Sequence, residues 1–216
     1  MARKPFQCNP DSPYHITSRS HNKVSWPIPI EEVWEIMSLY LSFMHYSTGT
    51  KIHSFVLMRN HFHLVASFPN ANLSEALSYF KGETSRRISS AAGHINQIYG
   101  SRSFRSQITN YHHYMNVYKY VYRNPVEAKV CAEVESYQFS TLNSLLGGSP
   151  IYFPVAEDTL LFESGSIVQN LNWLNAAPKP EHYESMRKAL RREVFKLAKK
   201  NKVQNEANVL HKTEII

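Results

Sequence analysis

Two β-rich runs separated by two residues constrain this chain more than any other feature. Residues 51–58, KIHSFVLM, and 61–68, HFHLVASF, are dense in branched and aromatic residues, and only Arg59-Asn60 joins them. Such spacing predicts a tight β-hairpin. Asn tolerates the positive φ that tight hairpin turns use, so Asn60 is the expected turn residue.

The flanking segments extend the pattern. Residues 14–19, YHITSR, alternate as a strand, and 20–29, with Trp26, Pro27 and Pro29, read as a loop. Residues 30–46 carry Val33, Ile36, Met37, Leu41 and Met44 at helical spacing, with acidic residues in the first turn that suit the helix dipole. Residues 72–92 run helically from a capping-type Asn72 to Gly93. A short last strand is expected within 102–109, and a third helix over 110–124, ending near Pro125. The order β-α-β-β-α-β-α predicts an α+β fold. It is a ferredoxin-like split βαβ antiparallel sheet with one added, tyrosine-bearing helix.

Gly147, Gly148, Ser149 and Pro150 mark a break. The expected division is a domain over 1–148 and a helical C-terminal extension over 149–216. Within the extension, residues 181–203 form a basic helical run. Between Lys179 and Lys202 there are nine Lys/Arg against three Glu. The tail from about 204 shows no core pattern.

Charge narrows the partners. The net charge of +7 favours a polyanion, nucleic acid before anionic membrane. Seven glycines in 216 residues leave little room for a glycine-rich phosphate cradle. No apolar run approaches the ~18 residues of a spanning helix, so no membrane partner is expected. The N-terminus has no apolar signal region. Cys8 and Cys131 sit in no metal-binding spacing and read as free thiols of a reducing compartment, with a cytoplasmic location expected.

The most informative residues are His61-Phe62-His63. In a strand, i and i+2 face one side, so both imidazoles point off one face and Phe62 off the other. Two neutral imidazoles make half of a divalent-metal site. His53 on the preceding strand shows how common His is in a chain that holds 11, so the motif needs a partner. The third helix supplies one. Its face carries His113, Asn116, Tyr120 and Asn124, while Tyr114, Tyr118 and Val121 form a neighbouring, packing-type face. Tyr120 and Asn124 project a phenol and an amide oxygen together. A phenol beside a divalent cation and a bound phosphate can attack phosphorus. Spacing alone does not choose Tyr120 over Tyr118.

The run SFVLMRNHFHLVASF resembles the signature of the HUH single-tyrosine transposases, in which two His flank a hydrophobic residue. YKYVYRNPVEAKV resembles the tyrosine helix of the REP-associated tyrosine transposase branch, and YHITSRSHNK is similar to that branch's first strand. The resemblance spans roughly residues 13–147. It implies that His61 and His63 bind Mg²⁺ or Mn²⁺, that Tyr120 is the nucleophile, and that Asn124 completes the metal shell. It also implies single-stranded or hairpin DNA as substrate, nicked through a 5′-phosphotyrosine with release of a 3′-OH that can reverse the linkage. Relatives often have Pro where Arg59 stands, a Trp- and Gly-rich stretch where this chain has YGSRSFRSQ, and a Gly-rich closing motif that this chain lacks.

Single-stranded DNA is held by basic grooves and stacking aromatics. The candidates are Lys81, Arg86 and Arg87 on the second helix, Arg102 and Arg105 before the third, and Lys119 and Arg123 on it. Arg191 and Arg192 belong to the basic C-terminal helix, a candidate clamp on a hairpin stem that also carries Met186, Leu190, Phe195 and Leu197 for packing. Tyr99 and Phe104 can stack on bases, with core packing the stronger expectation for Phe104. The chain is compatible with a monomer or a homodimer. Two other classes compete: a DNA-binding protein of the same fold without the chemistry, and a zinc hydrolase acting on small phosphoesters. The latter needs further Asp or His ligands that the sequence does not gather.

Overall fold

The computed structural model of the chain describes residues 6–93, 97–100, 102–156 and 166–197. Its centre is one four-stranded sheet, entirely antiparallel. The strands are β1 (Tyr14–Arg19), β2 (Lys51–Met58), β3 (His61–Ser67) and β4 (Phe104–Gln107), in the order β2-β3-β1-β4. This is the predicted split βαβ arrangement, and the molecule is α+β.

Helices α1 (Ile30–Thr48) and α2 (Leu73–Ala91) cover one face of the sheet. Phe62 meets Phe80 of α2 edge-on at 5.6 Å, and Phe55 stacks on Trp34 of α1 at 5.6 Å. Helix α3 (Tyr111–Glu127) lies on the opposite face. Strand alternation therefore sends Phe62 into the core under α1 and α2 and sends His61 and His63 toward α3.

Helix ends follow local chemistry. α1 stops at Gly49, whose φ of +72° suits a left-handed cap and whose N–H donates to the His45 carbonyl. α3 starts at Asn110, whose side chain accepts from the His113 N–H. Asn72 does not cap α2. Its amide instead donates to the Thr48 carbonyl, tying α2 to the end of α1.

The turn at Arg59-Asn60 also differs from expectation. Neither residue has a positive φ. Asn60 is fixed instead by its side chain, whose Nδ2 donates to the Lys23 carbonyl at 2.6 Å. The adjoining backbone is pinned too, since Ser20 N–H donates to the Asn60 carbonyl and Trp26 N–H to that of Arg59.

α3 does not end before Pro125 but runs through it to Glu127. A proline inside a helix removes one donor to the carbonyl four residues back. Here the Asn124 amide donates to the Tyr120 carbonyl at 2.7 Å and reaches the Val121 carbonyl at 3.4 Å. The side chain thus takes over part of the bonding that Pro125 cannot supply.

Beyond residue 148 the chain packs into the same hydrophobic cluster, through Phe153, Trp173, Leu174, Met186, Leu190 and Phe195. Short helix α4 (Thr141–Leu145) precedes the break, and α5 (Ile167–Asn175) and α6 (Pro180–Ala189) follow it. Among the described residues, the basic run predicted as one helix over 181–203 is helical only to Ala189. Val194 then bridges Gln107 in parallel, so the segment extends the β4 edge of the sheet. Backbone bonds from Gln107 N–H to the Glu193 carbonyl and from Phe195 N–H to the Gln107 carbonyl hold it there. Unpaired strand-edge groups outbid helix continuation. Residues 198–203 of that predicted helix, and the tail from 204, lie outside the described residues.

Candidate nucleic-acid cleavage site

A cleft of about 780 Å³ opens between the sheet, α3 and α6. Its floor is the α3-facing side of the sheet, laid out in cross-strand rows. His61 lies opposite Arg19, and His63 opposite Thr17, which in turn faces Phe104. His15 lies one step further along β1. Directly opposed residues of an antiparallel pair share a face, so the register alone converges these side chains.

The two histidines of the HxH motif are adjacent, with ring centroids 5.0 Å apart. His61 Nδ1 lies 2.7 Å from Asn60 Oδ1, an atom that can only accept, so the proton sits on Nδ1 and Nε2 keeps its lone pair. His63 is buried, its Nδ1 lies 2.8 Å from His15 Nε2, and its Nε2 is buried without a partner. Burial is the main cause that holds all three imidazoles neutral. His61 is pushed down to about 4, with the Arg19 charge adding to burial. His15 is pushed down to about 3 and His63 well below its usual range. Neutral imidazoles are the ligating form.

A metal fits these groups. A buried, partnerless ring nitrogen beside a second imidazole with a free lone pair is a half-built site. Among the described residues no three His, Cys, Asp or Glu side chains gather into a full metal cage. The donors that line the cleft are the two imidazoles and the amide of Asn124, whose Oδ1 accepts from the Tyr183 hydroxyl at 3.3 Å.

Tyr120 lines the cleft, and the spacing ambiguity with Tyr118 is resolved by packing. Tyr120's ring is 5.8 Å from that of His63 and 6.3 Å from that of His15, both edge-on and within one chain. Tyr118 packs between Tyr114 and Tyr122, edge-on to the latter, and does not line the cleft. The Tyr120 phenol is pushed up to about 12, chiefly by burial, while the charges of Arg187, Arg19 and Arg191 pull it down. His113 packs on Phe195 at 4.9 Å, and Asn116 is fully buried with its amide on the His112 carbonyl. Neither residue of that predicted face lines the cleft.

Of the predicted DNA contacts, Arg102 and Arg191 line the cleft. Lys81, Arg86 and Arg87 ride on α2, across the sheet from Tyr120. Lys81 sits over the Tyr99 ring at 4.9 Å and Arg86 pairs with Glu83. Arg105 follows Phe104 on β4 and so points to the α2 side, where it stacks on Phe6 at 3.5 Å and donates to Ser74. Arg192 is exposed outside the cleft.

Lys119 and Arg123 are corrections, since each is only 3% exposed beneath α5. Lys119 Nζ lies 5.1 Å over the Trp173 ring. Arg123 donates to the Leu174 and Asn175 carbonyls and pairs with Glu127 at 2.8 Å. Arg123 thus closes the C-terminal end of α5, and Lys119 packs against the same helix. The two aromatics also exchange parts. Tyr99 is buried on Thr84, while Phe104 is 56% exposed and lines the cleft.

Sequence reasoning passed over Arg19, Asn60, His15, Tyr183 and Arg187. Strand alternation from Thr17 marks His15 and Arg19 as face-mates. Tyr183 and Arg187 give no local signal, because only the tertiary return of α6 brings them in.

Residues 11–124 match the family described as transposase, IS200-like. Among solved structures, the chain is similar to a REP-associated tyrosine transposase bound to a REP hairpin, with a TM-score of 0.57 and 19% identity. That alignment covers 77% of this chain and 98% of the other. A candidate transposase from Deinococcus radiodurans R1 aligns at 13% identity and a TM-score of 0.38, over 60% of this chain and 91% of that one. No curated protein sequence matches it.

Proposed function

Since the chain belongs to the IS200-like transposase family, we propose that it nicks and rejoins single-stranded DNA, with Tyr120 as nucleophile. One observation carries this reading. The Tyr120 ring lies 5.8 Å from that of His63, whose ring is 5.0 Å from that of His61, in a cleft lined by Arg19, Arg102, Arg187 and Arg191.

The chain's own residues divide the work. The arginines attract the phosphodiester and offset its charge. Phe104 offers an exposed ring on which an unpaired base can stack, and Arg102 lies two residues before it. The Tyr120 oxygen forms a bond to phosphorus as the bond to the 3′-oxygen breaks. The phenol gives up its proton and the 3′-oxygen gains one, leaving a 5′-phosphotyrosine and a free 3′-OH. The phosphodiester energy is kept, so the step reverses without ATP. His61 and His63 would hold a divalent ion, Mg²⁺ or Mn²⁺, through Nε2, with Asn124 Oδ1 as the further candidate donor from the cleft lining. When bound, the ion supplies Lewis-acid polarisation of the phosphoryl oxygen. Hairpin-forming DNA is the favoured substrate class, because the similar structure holds a REP hairpin.

The test is a denaturing gel of the full chain with labelled single-stranded hairpin DNA and Mn²⁺. A metal-dependent covalent protein–DNA band supports the reading. Tight hairpin binding without any adduct or cleavage overturns it in favour of a DNA-binding protein of the same fold.

A further inference from the structure

His15 is a buried titratable residue that the chemistry above leaves unused. It is 1% exposed, its ring stacks on His63 at 5.1 Å, and its Nε2 lies 2.8 Å from His63 Nδ1. Resting on the metal-site reading above, we infer that His15 is a positioning residue: it accepts the Nδ1 proton of His63 and so leaves the His63 Nε2 lone pair for a divalent ion.

Two nitrogens 2.8 Å apart share one proton, so two arrangements exist. In the first, His63 Nδ1–H donates to His15 Nε2, and His63 Nε2 carries a lone pair. In the second, His15 Nε2–H donates to His63 Nδ1. The single proton of neutral His63 is then on Nε2, which cannot ligate and finds no acceptor. In the metal-free protein each arrangement strands one donor and one acceptor, since His15 Nδ1 is also buried without a partner. An ion on His63 Nε2 removes this balance and selects the first.

The neighbouring ligand is built the same way, with Asn60 Oδ1 taking the Nδ1 proton of His61. Both histidines of the motif thus have their Nδ1 occupied and their Nε2 free. Metal-bound histidines usually donate their other ring N–H to an acceptor that fixes the ring and raises its basicity. Asn60 and His15 are those acceptors here, one drawn from the hairpin turn and one from 48 residues upstream.

The test compares Mn²⁺ affinity of the full-length wild type, His15→Phe and His15→Gln by calorimetry, with thermal melts to confirm folding. Phe keeps an aromatic, apolar filling but removes the acceptor, and Gln keeps an acceptor oxygen. The inference predicts Mn²⁺ binding weakened about 10- to 100-fold in His15→Phe and largely restored in His15→Gln. Pulsed EPR of bound Mn²⁺ should count two histidine nitrogens in wild type and in His15→Gln. A packing role predicts the reverse rescue, with Phe better tolerated than Gln, and overturns the inference. Three histidine nitrogens in wild type falling to two in His15→Gln also overturn it, making His15 a ligand. His61→Ala with His63→Ala separates the two levels. Loss of binding there with wild-type affinity in His15→Phe defeats this inference alone, whereas unchanged binding there defeats the metal site itself.

Discussion

The rings of Tyr120 and Tyr183 lie 5.0 Å apart, tilted by 33°, and the Tyr183 hydroxyl donates to Asn124 Oδ1. The helix α6 thereby buries the phenol proposed as nucleophile. Burial is the chief reason that phenol is pushed up to about 12. Tyr183→Ala removes one wall of that enclosure, and the Tyr120 phenol should fall toward its ordinary value near 10. Carbon-13 NMR of labelled tyrosine across a pH series measures it. An unchanged titration contradicts α6 as the cause of the desolvation.

Arg123 and Arg191 should behave in opposite ways. Arg123→Ala strands the Leu174 and Asn175 carbonyls, and each buried unsatisfied group costs about 1–3 kcal/mol. Urea unfolding should show this loss, while the salt dependence of DNA binding keeps its slope. Arg191→Ala is exposed and should change stability by less than ~0.5 kcal/mol, yet reduce the salt slope by about 1 if it neutralises a phosphate.

Phe104→Ala should weaken binding of unpaired DNA by about 1–3 kcal/mol, the usual worth of one base–aromatic stack. Fluorescence anisotropy with a single-stranded oligonucleotide reads the effect. Phe104→Trp should bind as well as wild type and show tryptophan quenching on binding. Equal affinity of the alanine variant contradicts Phe104 as a stacking platform.

Acid should destabilise the metal-free protein through its buried histidines. Burial depresses His15 to about 3 and His53 and His61 to about 4, below the ordinary 6.5. The unfolded chain then binds more protons than the folded one. Their contribution is fully present above pH 6.5 and is lost as pH falls through that value toward the folded-state values. His15 alone contributes a slope of at most about 1.4 kcal/mol per pH unit. Urea midpoints in chelator between pH 7 and 5 should fall, and fall less steeply in His15→Phe. A flat profile contradicts neutral buried histidines.

Most of the fold is legible in the sequence, because periodicity and a two-residue turn leave few ways to pair these strands. The His61–His63 face follows from strand alternation alone. What stays hidden depends on tertiary return. Lys119 and Arg123 look like surface charges until α5 covers them, and no motif announces α5's position. The basic run past Ala189 reads as helix by composition, yet Val194 finds an open sheet edge at Gln107. Phe104 looks like core because it is apolar, but it sits on a four-residue strand at the rim of the cleft. Tyr118 and Tyr120 differ by only two positions on one helix, and what separates them is which side of α3 the sheet's histidines occupy.

That distinction allows the most direct test of the central claim. The covalent complex formed with hairpin DNA and Mn²⁺ would be digested with nuclease and trypsin and sequenced by mass spectrometry. Trypsin cuts after Lys119, so Tyr118 and Tyr120 fall on different peptides. The account predicts a nucleotide remnant on the peptide over residues 120–123, localised by fragmentation to Tyr120 and absent from Tyr122. A remnant on Tyr118 or Tyr122, or a covalent complex that survives Tyr120→Phe, would contradict it.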